Sequence, residues 1–268
     1  MMSTTEILSS MGILFVLGIV LGSFCAARVV CLLSGQPQGI WGRSRCMACR
    51  HVLAWKELIP LLSFLFLKGQ CGHCGKKFTS LYFFIEILVG ILAMGGVFFL
   101  FPGFSGTALL HVALYLLFIC VGISIACIDW QIQAFPVTWL QISGFVFLLS
   151  ALVFRTPTDL SSSLIGALCG ALLFFLLRIL ASWILKKEAL GAGDISLAFF
   201  LGAFLGWENL IVAFYLGVFL ALLSLPFFWF TKKRLPSILP FAPFLVGGGI
   251  MSIFVGGQIL SYYYGLFL

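Results

Sequence analysis

The chain has little charge. Asp, Glu, Lys and Arg make up 9% of its 268 residues, against roughly a quarter in a soluble globular protein. That scarcity excludes a water-soluble domain with an ordinarily solvated surface. Only eight residues are acidic and three are histidine, so acid–base chemistry has few possible carriers. There is no Gly-rich nucleotide fingerprint, no linker that splits the chain, no internal repeat and no low-complexity tract. A cleavable leader is not expected either. The first apolar run is too long for a signal segment, carries Glu6 where a basic start belongs, and lacks a small-residue cleavage site. It reads as a retained span.

What the chain has in abundance is apolar sequence, 62% of all residues. A membrane span needs about 20 apolar residues. Eight runs qualify, at roughly 9–33, 81–101, 108–128, 136–154, 161–185, 192–208, 210–230 and 240–266. The expected fold is an all-α polytopic membrane protein with about eight transmembrane helices. One polar insertion, 34–80, separates the first two. The expected organisation is a first transmembrane helix at 1–33, a four-cysteine loop at 34–80 and a transmembrane catalytic domain at 81–268.

The basic residues orient these spans, because Lys and Arg accumulate on the cytoplasmic side. With the N-terminus outside, Arg43, Arg45, Arg50, Lys56, Lys68, Lys76 and Lys77 face the cytoplasm in the insertion. Lys186, Lys187, Lys232, Lys233 and Arg234 follow, leaving only Arg155 in an outer loop. The opposite orientation inverts this bias. The net charge of +7 is thereby a topology signal and predicts no nucleic-acid partner.

Asp194 ends the tetrapeptide Gly191-Ala192-Gly193-Asp194, just before the apolar run Ile195–Trp207. An aspartate at the mouth of a span is costly without a partner or a task. Candidate partners are Glu6, Glu57, Glu86, Asp129, Asp159, Glu188 and Glu208. Asp129 stands out, since it closes the run Leu109–Ile128 with no other acid near it. The topology places Asp129 and Asp194 on the same, cytoplasmic boundary, although the acids played no part in deriving it. Two facing carboxylates can share a proton, one activating water and the other protonating a carbonyl oxygen. Gly191 and Gly193 are expected to let the chain unwind and approach a substrate backbone. Gly202 and Gly206 interrupt the run that follows, as in a discontinuous helix. On the residues alone, each aspartate could instead cap a helix or stand solvated in a loop.

The insertion carries Cys46-Met47-Ala48-Cys49 and Cys71-Gly72-His73-Cys74, with 21 residues between the pairs. Two Cys-x-x-Cys knuckles suit a structural zinc site. Disulfides and free thiols remain open alternatives, the former disfavoured in a reducing cytoplasm. Glu86, about a turn into the second span, reads either as a buried partner of Arg28 or Lys76 and Lys77, or as a contact to a substrate amine. Glu57 reads as a solvated loop acid.

Taken in order, these features resemble the type IV prepilin peptidase family, membrane aspartic proteases of the Gly-x-Gly-Asp type. The likeness covers nearly the whole chain. It includes Gly22-Ser23-Phe24, Arg43-Ser44-Arg45-Cys46 through His51, Ile59-Pro60, Lys68-Gly69, Tyr82, Glu86, Asp129 seven residues before Pro136, Leu201–Trp207 and Pro240-Phe241-Ala242-Pro243. Ala26, Cys31, Leu33, Met47, Val137 and Ser196 depart from the family pattern, yet no catalytic aspartate or cysteine is lost. The resemblance implies cleavage of prepilin or pseudopilin leaders on the cytoplasmic side by Asp129 and Asp194. It also implies N-methylation of the new N-terminus from S-adenosylmethionine, zinc on Cys46, Cys49, Cys71 and Cys74, and substrate contacts at Glu86, Gly191 and Gly193. A bacterial inner-membrane location, in contact with membrane lipid, follows from the same likeness. A cleavage-only enzyme, or a zinc-bearing adaptor of a pilus or secretion machine without catalysis, is the alternative.

Overall fold

Residues 4–35, 44–100, 107–155, 158–186, 191–232 and 240–267 are described by a computed structural model. Arg43, Lys187, Glu188, Lys233 and Arg234 lie outside the described residues. The architecture is helical: α1 Thr4–Leu33, α2 Leu62–Phe66, α3 Leu81–Leu100, α4 Ala108–Ile132, α5 Val137–Phe154, α6 Leu160–Leu185, α7 Ala192–Lys232 and α8 Ala242–Phe267. Among the described residues six of these (α1 and α4–α8) are long and apolar enough to cross a membrane, and α3 adds the shorter apolar stretch Leu81–Gly95. The chain is a multi-pass membrane protein.

Two compact units divide it, Met1–Ser105 and Gly106–Leu268. In the first, α1 and α3 run antiparallel and touch through small residues. A Cβ on Gly18 would meet Ala93 and Gly90, and one on Gly22 would come within 3.0 Å of the Glu86 Cα. Apolar side chains gain little by leaving lipid for each other. Close backbone approach over glycine is what such helices exchange for it.

The second unit is built around α7, which is two helices. At Gly206 the backbone takes φ 75° and ψ 173°, a conformation that L side chains rarely adopt. The halves on either side share one neighbour. A Cβ at Gly170 of α6 would lie 3.0 Å from the Ala198 carbonyl and 2.9 Å from the Leu210 side chain. On a straight helix those two residues would stand about 18 Å apart along the axis. The chain therefore reverses at Gly206. The first half runs antiparallel to α6 (Gly166 against Gly202), and the second runs beside it in the same direction (Phe174 against Phe214). The two runs expected at 192–208 and 210–230 are both present, with their turn at Gly206.

An aromatic core fixes this hairpin to its neighbours. Phe118 of α4 stacks on Phe204 and Phe200 of α7 at centroid distances of 4.3 and 5.2 Å, and Phe147 of α5 closes on the same pair. Stacked rings contribute directional preference beyond area burial. They set α4 against the first half of α7, the two elements that carry Asp129 and Asp194.

Candidate active site

Asp129 stands in the last turn of α4 and is buried. The helix stops one turn later because Gln133 adopts a left-handed conformation (φ 54°), its N–H returning to the Asp129 carbonyl at 3.1 Å. Pro136 then opens α5. Across the fold, α8 begins at Ala242, whose N–H donates to Asp129 Oδ2 at 3.2 Å. The first amides of a helix have no intrahelical acceptor and favour an anion. The carboxylate answers both needs.

Asp194 lies in the first turn of α7, half-buried. Its Oδ2 accepts the Gly191 N–H at 3.2 Å, the reach-back of a capping box. Part of the helix-capping reading is therefore real. It does not account for the neighbour, because Asp194 also stands within electrostatic range of Asp129. A second contact ties the same segments. Phe135, between α4 and α5, presses on Gly193 so closely that a Cβ there would stand 2.7 Å from its ring. Gly193 is thus fixed by packing, and it lies inside the helix that starts at Ala192. Among the described residues Gly193 is helical and not unwound, whereas Gly191 precedes the helix and is exposed. Among the described residues, Oδ2 of each aspartate is held by a backbone N–H and Oδ1 of each is left for a third party.

In the other unit the four cysteine sulfurs lie within 4.8 Å of one another and could hold a metal ion. Each pair sits in a knuckle of the same design. The Cys46 N–H donates to His51 O and the Arg50 N–H to Cys46 O. Cys71 N–H to Lys76 O and Gly75 N–H to Cys71 O repeat the pattern. Arg50 and Gly75 occupy the same left-handed position (φ 58° and 69°). This short structural repeat is one the sequence, read without it, did not disclose. Cys46 Sγ and Cys74 Sγ stand 3.8 Å apart. That is close to the edge of a tetrahedron whose vertices lie about 2.3 Å from a central zinc. Burial works to raise the Cys46 thiol, but hydrogen bonds from the Cys49 and Ala48 amides outweigh it and bring it down to about 7. The His51 amide acts to lower Cys49, while burial and the neighbouring sulfurs prevail and push it up to about 11.

Two acids serve this loop. Glu57, expected to be a solvated loop acid, also accepts, at an exposed position, the Ala54 N–H at 2.8 Å on one oxygen and the Gly72 N–H at 3.0 Å on the other. It ties a short turn to the second knuckle. Glu86 is buried in α3, and its Oε2 accepts the Leu61 N–H at 2.7 Å. Leu61 has φ 57°, a strained conformation for a branched side chain, and Glu86 holds it there. The remaining Glu86 surface faces a cavity of about 430 Å³ that Arg28, Arg45, Lys77, Phe24, Phe78 and Tyr82 help to line.

Phe135, Ala242 and the bracing role of Glu57 are the features of these sites that sequence reasoning missed. Any residue supplies an amide, so nothing marks Ala242 except its place between Pro240 and Pro243, a motif seen only as resemblance.

Comparison with known proteins places these sites in two adjoining matches. Residues 16–100 match the bacterial peptidase A24 N-terminal domain, and residues 116–225 match the type IV leader peptidase family. The four cysteines and Glu86 fall in the first and both aspartates in the second. A Bacillus subtilis prepilin leader peptidase/N-methyltransferase is 33% identical over 262 residues, 94% of this chain and 97% of that protein. A Klebsiella pneumoniae protein of the same name is 35% identical over 74% of this chain and 86% of its own length. In a Myxococcus xanthus relative, also 35% identical, the match spans 57% of that protein's length. No solved structure gives a significant match.

Proposed function

The chain belongs to the type IV leader peptidase family, and on that premise we propose that it cleaves the leaders of type IV prepilins or pseudopilins and N-methylates the new N-terminus. The observation that carries this reading is that Asp129 and Asp194, from separate helices, lie within electrostatic range of each other, each with Oδ2 anchored by an amide. Water held between the two Oδ1 atoms adds to the carbonyl carbon of the scissile bond. One carboxylate takes the water proton as the other gives its proton to the carbonyl oxygen. Collapse of the resulting diol returns a proton to the departing amine and restores the pair. Gly191, exposed beside Asp194, offers backbone to an extended substrate, and Gly193 keeps its packing.

The positive-inside bias supports an N-terminus outside the inner membrane, with dyad and cysteine loop both cytoplasmic. We assign a structural zinc to Cys46, Cys49, Cys71 and Cys74, whose 3.8 Å sulfur spacing fits it. S-adenosylmethionine supplies the methyl group, and the cavity beside Glu86 offers groups that suit it. Phe24, Phe78 and Tyr82 are aromatic faces for a purine or a sulfonium, Arg28 and Arg45 match a carboxylate, and Glu86 matches an ammonium.

Purified protein incubated with a prepilin, with and without S-adenosylmethionine, tests the assignment by mass spectrometry. Loss of the leader in both arms, with one added methyl only in the second, is expected. Cleavage without methylation leaves a peptidase alone. An intact prepilin in both arms overturns the assignment in favour of an adaptor.

A further inference from the structure

The insertion between α1 and α3 is polar as a whole, yet Trp55–Lys68 within it is rich in apolar residues. Trp55, Leu58, Ile59, Leu62, Leu65 and Phe66 are exposed, Phe66 to 81%. In water each such side chain forgoes the favourable burial of its apolar surface. The segment does not swing free. The Leu61 N–H is bound to Glu86 of α3, and the Phe64 ring packs 5.3 Å from Phe83 of the same helix. Glu86 lies five residues into α3, about 7.5 Å along its axis. At that level α3 presents Phe84 outward, 62% exposed. The segment thus shows its apolar face at a depth where the adjoining helix already shows its own. Lys56 and Lys68 are exposed at its two ends, and the Lys56 ammonium stands 5.6 Å from the Trp55 ring. Tryptophan and lysine are the side chains that favour the headgroup level.

We propose that Trp55–Lys68 lies in the membrane interface, its apolar face among acyl chains and its two lysines on anionic headgroups. The anionic leaflet attracts both cations. Glu57 belongs to this segment and holds the Gly72 amide, so docking on lipid also sets the height of the second cysteine knuckle above the bilayer. The proposal rests on α3 entering the membrane and is independent of the peptidase assignment.

Trp55 is the probe. The protein is placed in nanodiscs of phosphatidylcholine and phosphatidylglycerol, with ordinary or dibrominated acyl chains, and Trp55 emission is taken as wild type minus Trp55→Phe. Brominated chains are expected to quench it roughly twofold, with little effect from aqueous iodide. Phe66→Asp, checked for unchanged metal content, is expected to weaken the lipid quenching and admit iodide. Emission quenched by iodide and not by brominated lipid overturns the proposal. So does emission shielded from both, which would mean that protein covers the segment.

Discussion

Ala242, the first residue of α8, donates its N–H to Asp129 Oδ2 at 3.2 Å and joins positions 113 residues apart in the chain. One carboxylate therefore closes a helix terminus and serves the proposed chemistry, and the two functions can be separated by substitution. Asp129→Asn keeps an acceptor oxygen for Ala242 and loses the proton exchange. It should fold normally and lose about 10²–10⁴-fold in cleavage. Asp129→Ala also strands a buried amide and should lose a further 1–3 kcal/mol, roughly, of stability. Asp194→Asn should match Asp129→Asn in activity. Turnover of purified variants beside their thermal unfolding checks this, and near-normal cleavage by either Asn variant would refute the dyad.

Gly193 and Phe135 form a second testable pair. A methyl group at Gly193 would stand 2.7 Å from the Phe135 ring, so Gly193→Ala must displace the ring or the first turn of α7 that carries Asp194. Small misplacements of a reacting group are expensive, and cleavage should fall by about 10²-fold. Phe135→Ala in the same chain vacates the space and should restore most of it. If the double variant is no more active than Gly193→Ala, the glycine is needed for substrate approach and not for packing.

The cysteine loop should carry about one zinc per chain. Cys46→Ser or Cys71→Ser should lose the metal and expose the loop to protease, while cleavage falls less than in the aspartate variants. Glu57→Ala should weaken the same loop more mildly, because it removes the acceptor for the Gly72 and Ala54 amides without removing a thiolate. Metal analysis and limited proteolysis decide the matter. Metal-free protein with a resistant loop would count against zinc.

How far the sequence was legible depends on what each feature is made of. The spans were readable because lipid demands long apolar runs, and α7 was readable as the two runs 192–208 and 210–230, the first interrupted by Gly202 and Gly206. The turn residue itself was not, since both glycines press on α6 too closely for a side chain and only Gly206 takes the positive φ of 75°. Asp129 and Asp194 stood out as candidates because acids are rare here. Their amide partners did not, because a backbone N–H leaves no mark in a sequence. The bracing role of Glu57 was hidden for the same reason: both of its partners are main-chain groups, one of them fifteen residues away.

Glu86 decides between two roles the sequence left open. The structure gives it a positioning task, holding the Leu61 amide at 2.7 Å where that residue takes a strained φ of 57°. Its place on the cavity wall also allows a charged contact to a substrate or cofactor amine. Glu86→Gln keeps an acceptor for Leu61 and removes the charge. Glu86→Leu removes both and leaves the amide unsatisfied, at a cost of about 1–3 kcal/mol. If positioning is the whole role, Gln should behave as wild type in cleavage, methylation and loop protection, and Leu should loosen the loop. If the charge is read by a ligand, Gln should keep the loop protected yet raise the KM for prepilin or S-adenosylmethionine. Whichever KM rises names the ligand that Glu86 meets. A Gln variant with a protease-sensitive loop would refute the Leu61 tie itself.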